Sequence, residues 1–297
     1  MRRTGTALAV LVVMIGTLGG CGSDDEPEAA PAADESTTSS TSDLAAGPVE
    51  VSAQEYAFTA PATIEGGLVE MSLTNTGKEA HFAGLAKVAE GKTFNDVKAV
   101  LTAPPSDTPP AGPPPFEEYA GVATLNPGGK GNGTFNLPAG SYALFCALPA
   151  PDGVPHAAKG MIAPLTVTEG MAAALPEAAT TMTATDFSLA GSPPTKAGTT
   201  VVRIHNQGKQ LHEVNLVELM PDQKIADVAA WFKQPAGPPP MGFLSGVAVK
   251  PGEEGTSSFE LKAGSNYAFI CAVPDSLSGD FVPHINKGMY TGAFTIS

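Results

Sequence analysis

The chain has 297 residues and a mass of 30.1 kDa, and its 30 acidic and 16 basic side chains give a net charge of −14. A surface this negative repels the phosphate backbone, which excludes nucleic acid as a partner. Hydrophobic residues make up 42% of the chain, enough to build cores, while 33 Gly and 28 Pro predict many turns and few long helices. We therefore expect two modest domains rather than one large one.

The first 20 residues have the pattern of a signal peptide. Arg2 and Arg3 precede an apolar run at residues 7–18, which is short for a bilayer span, and small residues then lead to Cys21. This arrangement resembles a bacterial lipoprotein cleavage site, in which Cys21 becomes the lipidated first residue of the mature chain. The alternative is an ordinary signal peptide followed by a chance cysteine. The resemblance implies an extracytoplasmic protein that is attached to the membrane by its N-terminal lipid.

Residues 21–48 are predicted to form a disordered acidic stalk. Their composition shifts to Ala, Ser, Thr, Pro and acidic residues, and no Lys or Arg occurs after Arg3 until Lys78. Such a segment buries too little apolar surface to offset the entropy lost on ordering. We expect it to hold the folded part away from the membrane, in a compartment that permits disulfides.

The rest of the chain contains one unit twice. Four pairs of segments match in the same order: 75–81 with 206–212, 111–115 with 236–240, 145–149 with 270–274, and 155–161 with 283–289. Matches in register at this spacing indicate a duplicated domain. We place the first repeat at 49–169, a linker at 170–179 and the second repeat at 180–297.

Short apolar runs bounded by Gly, Pro or Asn predict β-strands in both repeats. These runs are 67–74, 81–88, 142–147 and 163–168 in the first repeat, and 199–205, 212–219, 266–272 and 291–296 in the second. Apolar residues at helical spacing predict one helix per repeat, from Phe94 to Leu101 and from Ile225 to Phe232, closed by Pro104 and Pro235. The sequence therefore predicts an all-β fold of two tandem Greek-key β-sandwiches, each with a short inserted helix.

Four of the five histidines, and both cysteines that follow Cys21, occupy equivalent positions in the two repeats. Each repeat has a histidine after an Asn-x-Gly-Lys turn, a cysteine at the end of a late strand, and then a histidine and a methionine separated by four residues. These residues are His81, Cys146, His156 and Met161 in the first repeat, and His212, Cys271, His284 and Met289 in the second. Two imidazoles, a thiolate and a thioether suit both Cu(I) and Cu(II), as single-electron transfer requires.

This pattern resembles the cupredoxins, the blue copper proteins that include plastocyanin and azurin, and the resemblance covers both repeats. In that family an early histidine, and a cysteine, histidine and methionine from a late loop, hold a type 1 copper. The resemblance implies one or two such coppers per chain, with Met161 and Met289 as axial ligands. Nine residues separate Cys146 from His156 and twelve separate Cys271 from His284, which departs from the short form of this loop.

The residues beside the two cysteines bear on enzymatic activity. Multicopper oxidases and copper nitrite reductases carry a histidine next to the type 1 cysteine, whereas Phe145 and Ile270 precede the cysteines here. His205 is the only histidine outside the paired sets, which is too few for a second, catalytic copper cluster. We therefore expect an electron carrier that serves a redox partner protein and is not an enzyme.

Three alternatives stay open at this point. In the first alternative, Cys146 and Cys271 form a disulfide instead of binding a metal. The Cα atoms of a disulfide must lie within roughly 7 Å of each other, which is difficult for equivalent positions of two separately folded units. The same ligands would serve copper storage or delivery, which needs metal exchange at more exposed sites. In the third alternative, both repeats are structural or interaction modules that bind no metal. Met161 and Met289 are then ordinary core residues, as most buried methionines are.

Overall fold

The computed structural model describes residues 47–103, 112–278 and 281–297. The predicted signal peptide, the lipidation site Cys21, nearly all of the predicted stalk and the helix-closing Pro104 lie outside the described residues. No helix within the described ranges is both long and apolar enough to cross a bilayer.

Short strands dominate the first repeat, and one helix interrupts them. In chain order the elements are β1 (Val49–Gln54), β2 (Ala57–Thr59), β3 (Thr63–Glu65), β4 (Gly67–Asn75), β5 (His81–Val88), α1 (Phe94–Leu101), β6 (Phe116–Leu125), β7 (Lys130–Leu137), β8 (Gly140–Phe145) and β9 (Ile162–Thr168).

The second repeat follows a similar order of elements, without a described counterpart of β3, with an added 3₁₀ turn and with a shorter final strand. Its elements are β10 (Thr180–Thr185), β11 (Ser188–Ala190), β12 (Gly198–Asn206), β13 (His212–Leu219), α2 (Ile225–Lys233), β14 (Met241–Val249), β15 (Glu254–Leu261), β16 (Asn266–Ile270), a single turn of 3₁₀ helix (His284–Lys287) and β17 (Phe294–Thr295). The prediction of an all-β fold with one short helix per repeat is confirmed.

The strands of both repeats join into two sheets. The first sheet has the order β11-β10-β12-β15-β7-β4-β1-β2, and the second has the order β17-β16-β13-β14-β6-β5-β8-β9-β3. The repeats meet where β7 pairs with β15, with Phe135 opposite Gly255, and where β6 pairs with β14, with Val122 opposite Val247. The described residues therefore form one compact unit, and the boundary that the sequence places in the linker stays a prediction.

The core lies between the two sheets and follows from the alternation of side chains along the strands. On β4, Val69, Met71 and Leu73 are buried while the residues between them are more exposed, as expected of a strand with one face inward. Val202 and Ile204 do the same on β12. One continuous apolar cluster contains inward residues of both repeats, so burial holds the repeats together as well as each sandwich.

Both inserted helices cover the outer face of the second sheet. Val97 of α1 is fully buried against Ala86 and Phe145, and Val228 of α2 is fully buried against Val217 and Ile270. Each of these buried side chains contributes roughly 1.5–3 kcal/mol relative to an exposed one. The helices thus lie over the strands that end at the cysteines, and they give the second sheet a dry outer side there.

Three of the late strands end earlier than the sequence predicts. β8 ends at Phe145 and β16 ends at Ile270, so each cysteine lies one residue beyond its strand. The final strand of the second repeat contains Phe294 and Thr295 only, against a predicted span of 291–296. The residues after these strand ends lie in loops, and their backbone hydrogen bonds go to neighbouring turns rather than to an adjacent strand. An apolar sequence pattern does not distinguish such a loop from the end of a strand.

Candidate metal centres

Three predicted ligands of the first repeat meet at one end of the sandwich. His81 begins β5, Cys146 follows β8, and His156 lies in the loop between β8 and β9. The Nδ1 atom of His81 lies 3.1 Å from the Nδ1 atom of His156, which in turn lies 3.6 Å from Sγ of Cys146. All three side chains are at most 1% exposed. We call this group, with Met161, the first site.

The second repeat builds the same group. The Nδ1 atoms of His212 and His284 are 3.1 Å apart, and Sγ of Cys271 lies 3.9 Å from the first and 3.3 Å from the second. None of the three side chains is exposed. In both repeats the donor atoms lie within 4.8 Å of one another. We call this group, with Met289, the second site.

The two Cys-to-His loops differ in length, yet they share one backbone frame. Each loop is closed by an isolated bridge between two prolines, Pro149 with Pro155 and Pro274 with Pro283. In the first repeat the amide of His156 donates to Leu148, and in the second the amide of His284 donates to Val273. By sequence, the three extra residues of the second loop fall between its two bridged prolines. Both late histidines therefore follow the bridge directly and enter their sites in the same way.

Met161 and Met289 are tied to these frames through their backbones. The carbonyl of each methionine accepts from the cysteine amide, at 3.1 Å from Cys146 and 3.0 Å from Cys271, and each side chain is fully buried in the core cluster that contains the cysteines. The turn before each methionine uses a glycine at positive φ, 121° at Gly160 and 100° at Gly288. The structure thus places both methionines beside their cysteines, and their role as axial ligands stays a prediction.

A carboxylate holds the outer nitrogen of each early histidine. Nε2 of His81 lies 3.2 Å from Oε1 of Glu55, and Nε2 of His212 lies 3.0 Å from Oδ1 of Asp186. The same Glu55 oxygen accepts the amides of Lys78 and Glu79 at 2.5 and 2.8 Å. Because a carboxylate accepts the Nε2 proton, each neutral ring keeps its Nδ1 lone pair free for a metal.

The asparagine turn before each early histidine is a second support. The Asn75 side chain donates to the carbonyls of Glu79 and Leu125, and its Oδ1 accepts the amide of Gly77. Asn206 makes the equivalent bonds to Gln210, Val249 and Gly208. Both asparagines are completely buried. They fix the loop that carries the early histidine to the neighbouring strand, β6 or β14.

Burial keeps the unloaded sites electrically neutral. It lowers the pKa of all four site histidines, and for His284 the pKa falls to about 4 because burial is reinforced by the nearby His212. Burial also raises the pKa of the Cys146 thiol to about 12 and raises that of Cys271 as well. At neutral pH each unloaded site therefore contains two neutral imidazoles and one protonated thiol.

The donor atoms fit a copper ion. Imidazole nitrogens bind first-row metals at about 2.0 Å and thiolates at about 2.3 Å, so two such nitrogens must lie within about 4 Å of each other and a nitrogen and sulfur within about 4.3 Å. The Nδ1 pairs at 3.1 Å meet this condition, as do the distances from Cys146 Sγ to His156 and from Cys271 Sγ to His212 and His284, and all donor atoms of each site lie within 4.8 Å of one another. Two imidazoles with one thiolate and a nearby thioether are typical of blue copper sites.

The disulfide alternative is wrong. Cys146 and Cys271 are free and buried, each within its own site.

Sequence reasoning missed the carboxylates that support the histidines. Glu55 and Asp186 lie far from the ligands along the chain, and the turn after β1 or β10 brings them together. A weak signal exists, because an acid followed by an aromatic residue occurs at the equivalent place in both repeats, as Glu55-Tyr56 and Asp186-Phe187. Glu79 lies inside a matched segment, but its counterpart Gln210 is uncharged, so that position gave no sign of a shared role.

Gly77→Ala and Gly208→Ala are expected to disrupt the first and second sites respectively. A Cβ atom at Gly77 would lie 2.3 Å from Oε1 of Glu55 and 3.0 Å from Nε2 of His81, and one at Gly208 would lie 2.4 Å from Nε2 of His212. Overpacking of this kind costs about 1–3 kcal/mol. Thermal unfolding and copper content of each variant measure the effect. Gly292→Ala, where a Cβ meets nothing within 4 Å, is the control, and equal loss in all three variants would contradict the prediction.

The metal-free protein is expected to lose stability as the pH falls below about 6.5. The site histidines have lowered pKa values when folded, so the unfolded chain takes up protons first below 6.5 and is favoured. Hydrogen bonds from the Glu79 and Lys78 amides and from His81 outweigh desolvation and lower the pKa of Glu55 to about 2, so its contribution disappears as the pH falls from 4.5 to 2. The urea concentration at the midpoint of unfolding should therefore decrease from pH 7 to pH 5 and again to pH 3.5. A midpoint independent of pH would contradict this prediction. Glu55→Gln should reduce the decrease between pH 5 and pH 3.5.

Comparisons with known proteins find matches among solved structures only. No protein-family model matches the chain, and no curated protein matches it. Among solved structures, auracyanin from the photosynthetic bacterium Roseiflexus castenholzii is 26% identical, with 41% of this chain and 96% of that chain covered and a TM-score of 0.28. A multicopper oxidase (16% identity, 84% of this chain and 88% of that chain, TM-score 0.24) and the copper nitrite reductase of Nitrosomonas europaea (16%, 84% and 94%, TM-score 0.24) also match.

These matches correct one expectation. The sequence led us to expect a protein that is not an enzyme, and this expectation is contradicted, because the matches over 84% of the chain are an oxidase and a reductase. The absence of a histidine beside Cys146 and Cys271 does not establish that the chain lacks enzymatic activity. A likeness at 16% identity concerns the fold, and it assigns no reaction to this chain.

The chain's own structure bears on the resemblance to the cupredoxins. Each repeat has an inserted helix between its early and late strands and the same buried group of two histidines and a cysteine, with a methionine bonded to the cysteine backbone. The structure therefore has the all-β fold, and at one end of each repeat the buried His–Cys–His group, that the resemblance to the cupredoxins implies.

Proposed function

We propose that the chain is an extracytoplasmic, membrane-anchored copper protein that transfers single electrons through two type 1 copper sites. His81, Cys146 and His156 would hold one copper with Met161 as axial ligand, and His212, Cys271 and His284 would hold the other with Met289. A bound copper supplies a one-electron couple between Cu(I) and Cu(II). The rest of the function comes from how the chain positions and shields these donors.

The observation that carries this proposal is the pair of Nδ1 atoms that face each other at 3.1 Å in each site. The outer nitrogens of His81, His156 and His212 face carboxylates, which places the ring protons of these three histidines on the outside and their Nδ1 lone pairs on the inside. Facing lone pairs in a buried site repel each other unless a cation or a shared proton lies between them. A metal ion satisfies both lone pairs and the thiolate at once.

The chain's contribution to electron transfer is rigidity. The proline-bridged loops, the buried Asn75 and Asn206 and the carboxylate bonds to the early histidines hold the donors in one arrangement. A site that does not rearrange between oxidation states has a low barrier to gaining or losing an electron. Exclusion of water from the donors, which are at most 1% exposed, acts in the same direction.

The same burial weighs against copper storage or delivery. Metal exchange needs ligands that an incoming chaperone or acceptor can reach, and none of the site histidines or cysteines is more than 1% exposed. The neutral charge state of the unloaded sites also disfavours a purely structural role, since four buried imidazoles and two buried thiols cost free energy that apolar residues would not.

Attachment to the membrane is part of the proposal and is supported by the sequence. The apolar run at residues 7–18 followed by Leu18-Gly19-Gly20-Cys21 is typical of a lipoprotein. The acidic segment that follows would give the folded part reach from the membrane to a redox partner protein. Mass spectrometry of the chain from cells tests this: a diacylglyceryl group on Cys21 supports it, and an unmodified mature N-terminus contradicts it.

Loading the chain with Cu(II) tests the copper sites. We expect two coppers per chain and an intense thiolate-to-copper absorption band in the red part of the spectrum that disappears on reduction and returns on oxidation. Two bound coppers without this band would contradict type 1 sites. A chain that binds no copper would contradict the whole proposal and leave the structural alternative.

A further inference from the structure

The two sites differ on the outer side of the late histidine. In the first repeat Oε2 of Glu79 lies 2.9 Å from Nε2 of His156, and Oε1 of Glu79 accepts the hydroxyl of Tyr56 at 3.0 Å. The Tyr56 ring also lies against His156, with 5.0 Å between ring centroids. One carboxylate thus joins a partly exposed tyrosine to a buried ligand.

The second repeat replaces both members of this pair. Gln210 stands in the place of Glu79, and Phe187 stands in the place of Tyr56, with its ring 5.3 Å from that of His284. The Gln210 carbonyl oxygen accepts the amide of Ser276, and Nε2 of His284 is buried without a hydrogen-bond partner. The late histidine therefore has an anionic acceptor in the first site and none in the second.

This difference acts on the electronic character of the ligands. A carboxylate that accepts the proton of a ligand imidazole makes the ring a stronger donor. It also places a negative charge near the metal-binding nitrogens, in a buried region where charges are weakly screened. Both effects stabilise Cu(II) relative to Cu(I). A site with Glu79 should therefore be harder to reduce than one without it.

Most other charges around the two sites are matched. Each early histidine has one carboxylate, Glu55 or Asp186. The lysine between the late histidine and the methionine is paired with an acid in both repeats, Lys159 with Asp152 and Lys287 with Asp275. Each pair combines one positive and one negative charge, so neither pair changes the net charge of its site. Asp275 is buried and acts on His212 and His284, where Lys287 opposes it at His284, whereas Asp152 is exposed.

Glu213 is an acid of the second site without a counterpart, since Phe82 stands at the equivalent position. Its carboxyl accepts the amide of Ala272, next to Cys271. Glu213 thus bonds to a backbone amide, whereas Glu79 bonds directly to the ring of a proposed ligand.

We propose that Glu79, acting through His156 as a positioning residue, gives the first site the lower reduction potential, so that a single electron on the chain resides at the second site. The inference rests on the two copper sites of the proposed function. It gives the duplicated chain a direction: at equilibrium the electron is held at the second site rather than at the first.

Redox titrations of the copper-loaded chain at pH 6, followed at the thiolate-to-copper band, test this direction. Cys271→Ser and Cys146→Ser each leave one site and so give the potential of the first and second site separately. We expect the second site to be favoured at least tenfold for the electron, which is about 59 mV for a one-electron couple. Glu79→Gln should raise the first potential towards the second, and Gln210→Glu should lower the second.

Matched variants separate this role from a merely structural one. Glu55→Gln and Asp186→Asn remove equivalent carboxylates, so they should shift both potentials alike and keep the difference between them. Electron spin resonance of each Cu(II) form shows whether the ligand set is intact. Tyr56→Phe should shift the first potential less than Glu79→Gln, because the carboxylate remains.

Two results would overturn the inference and leave the proposed function standing: equal potentials of the two single-site proteins, or a first-site potential that Glu79→Gln does not change while two type 1 coppers are bound. Fewer than two coppers in the unmodified chain would overturn both the inference and the two-site function, so the two failures are distinguishable.

Discussion

Cys146→Ser is expected to remove one of the two coppers from the chain and to halve the thiolate-to-copper absorbance. The Cys146 thiol is completely buried and burial raises its pKa to about 12, so only a bound cation makes its thiolate form stable at neutral pH. A serine hydroxyl of nearly the same size does not ionise there and is a poor copper ligand. The remaining imidazoles, His81 and His156, would hold copper weakly and without the colour.

The variant should leave the fold and the second site unchanged. Serine keeps the amide that donates to the Met161 carbonyl, and the expected loss of unfolding free energy in the metal-free protein is about 1 kcal/mol. Copper content, the visible spectrum and far-ultraviolet circular dichroism measure these three effects. Cys271→Ser is the matched control and should bleach the second site only, while the double variant should bind no copper tightly.

Retention of two coppers and of the full band in Cys146→Ser would contradict the ligand assignment. A loss of both coppers in one single variant would instead show that the sites depend on each other. The structure gives a route for such dependence, because one continuous apolar cluster contains both Cys146 and Cys271.

Much of the candidate site was predictable because its potential ligands are rare residue types that occur in the same order in both repeats. His81, Cys146 and His156 stand far apart in the sequence, yet their spacing recurs in the second repeat, and the structure brings each set within 4.8 Å. The inserted helices were predictable from their periodicity, and α1 spans Phe94–Leu101 as the pattern indicated. Local patterns and repeated order are thus enough to locate donors and helices.

The joining of the repeats was not predictable from the same patterns. It depends on β6, β7, β14 and β15, which were absent from the predicted strands. β7 has the sequence KGNGTFNL, which contains two glycines and two asparagines and reads as a turn. A Cβ at Gly131 would lie 2.1 Å from Oγ of Ser245 in the other repeat, so glycine is needed there by a contact between repeats. Tertiary packing rather than strand propensity explains this strand.

The supporting carboxylates were hidden for a related reason. Glu55 follows β1 and reaches His81 only because β1 and β4 run parallel, which brings the end of β1 beside the turn before β5. Glu79 gains its role when the β8–β9 loop folds back to place His156 against it. Such contacts depend on the path of the whole chain, so a single sequence marks the ligands and leaves the groups that orient them unmarked.

Copper affinity is expected to rise about tenfold for each pH unit between pH 7 and pH 9. In the unloaded first site the Cys146 thiol is protonated throughout this range, since its pKa is about 12. The site histidines are neutral in the same range, since burial lowers their pKa values below 6.5. Binding one copper therefore releases one proton, from the thiol, and each unit of pH favours the bound form by a factor of ten.

Competition with a Cu(I) chelator at pH 7, 8 and 9 measures this dependence. The measurement uses the Cys271→Ser protein, which has only the first site, because Glu213 beside the second site has a pKa of about 7 and could release a proton of its own when copper binds there. We expect affinities at pH 7 and pH 9 to differ about a hundredfold. The slope should steepen as the pH falls through the lowered pKa values of His81 and His156, because each imidazole must then also lose a proton. An affinity independent of pH between 7 and 9 would mean that no thiol proton is released, and Cys146 could then not be the ligand that makes this site blue.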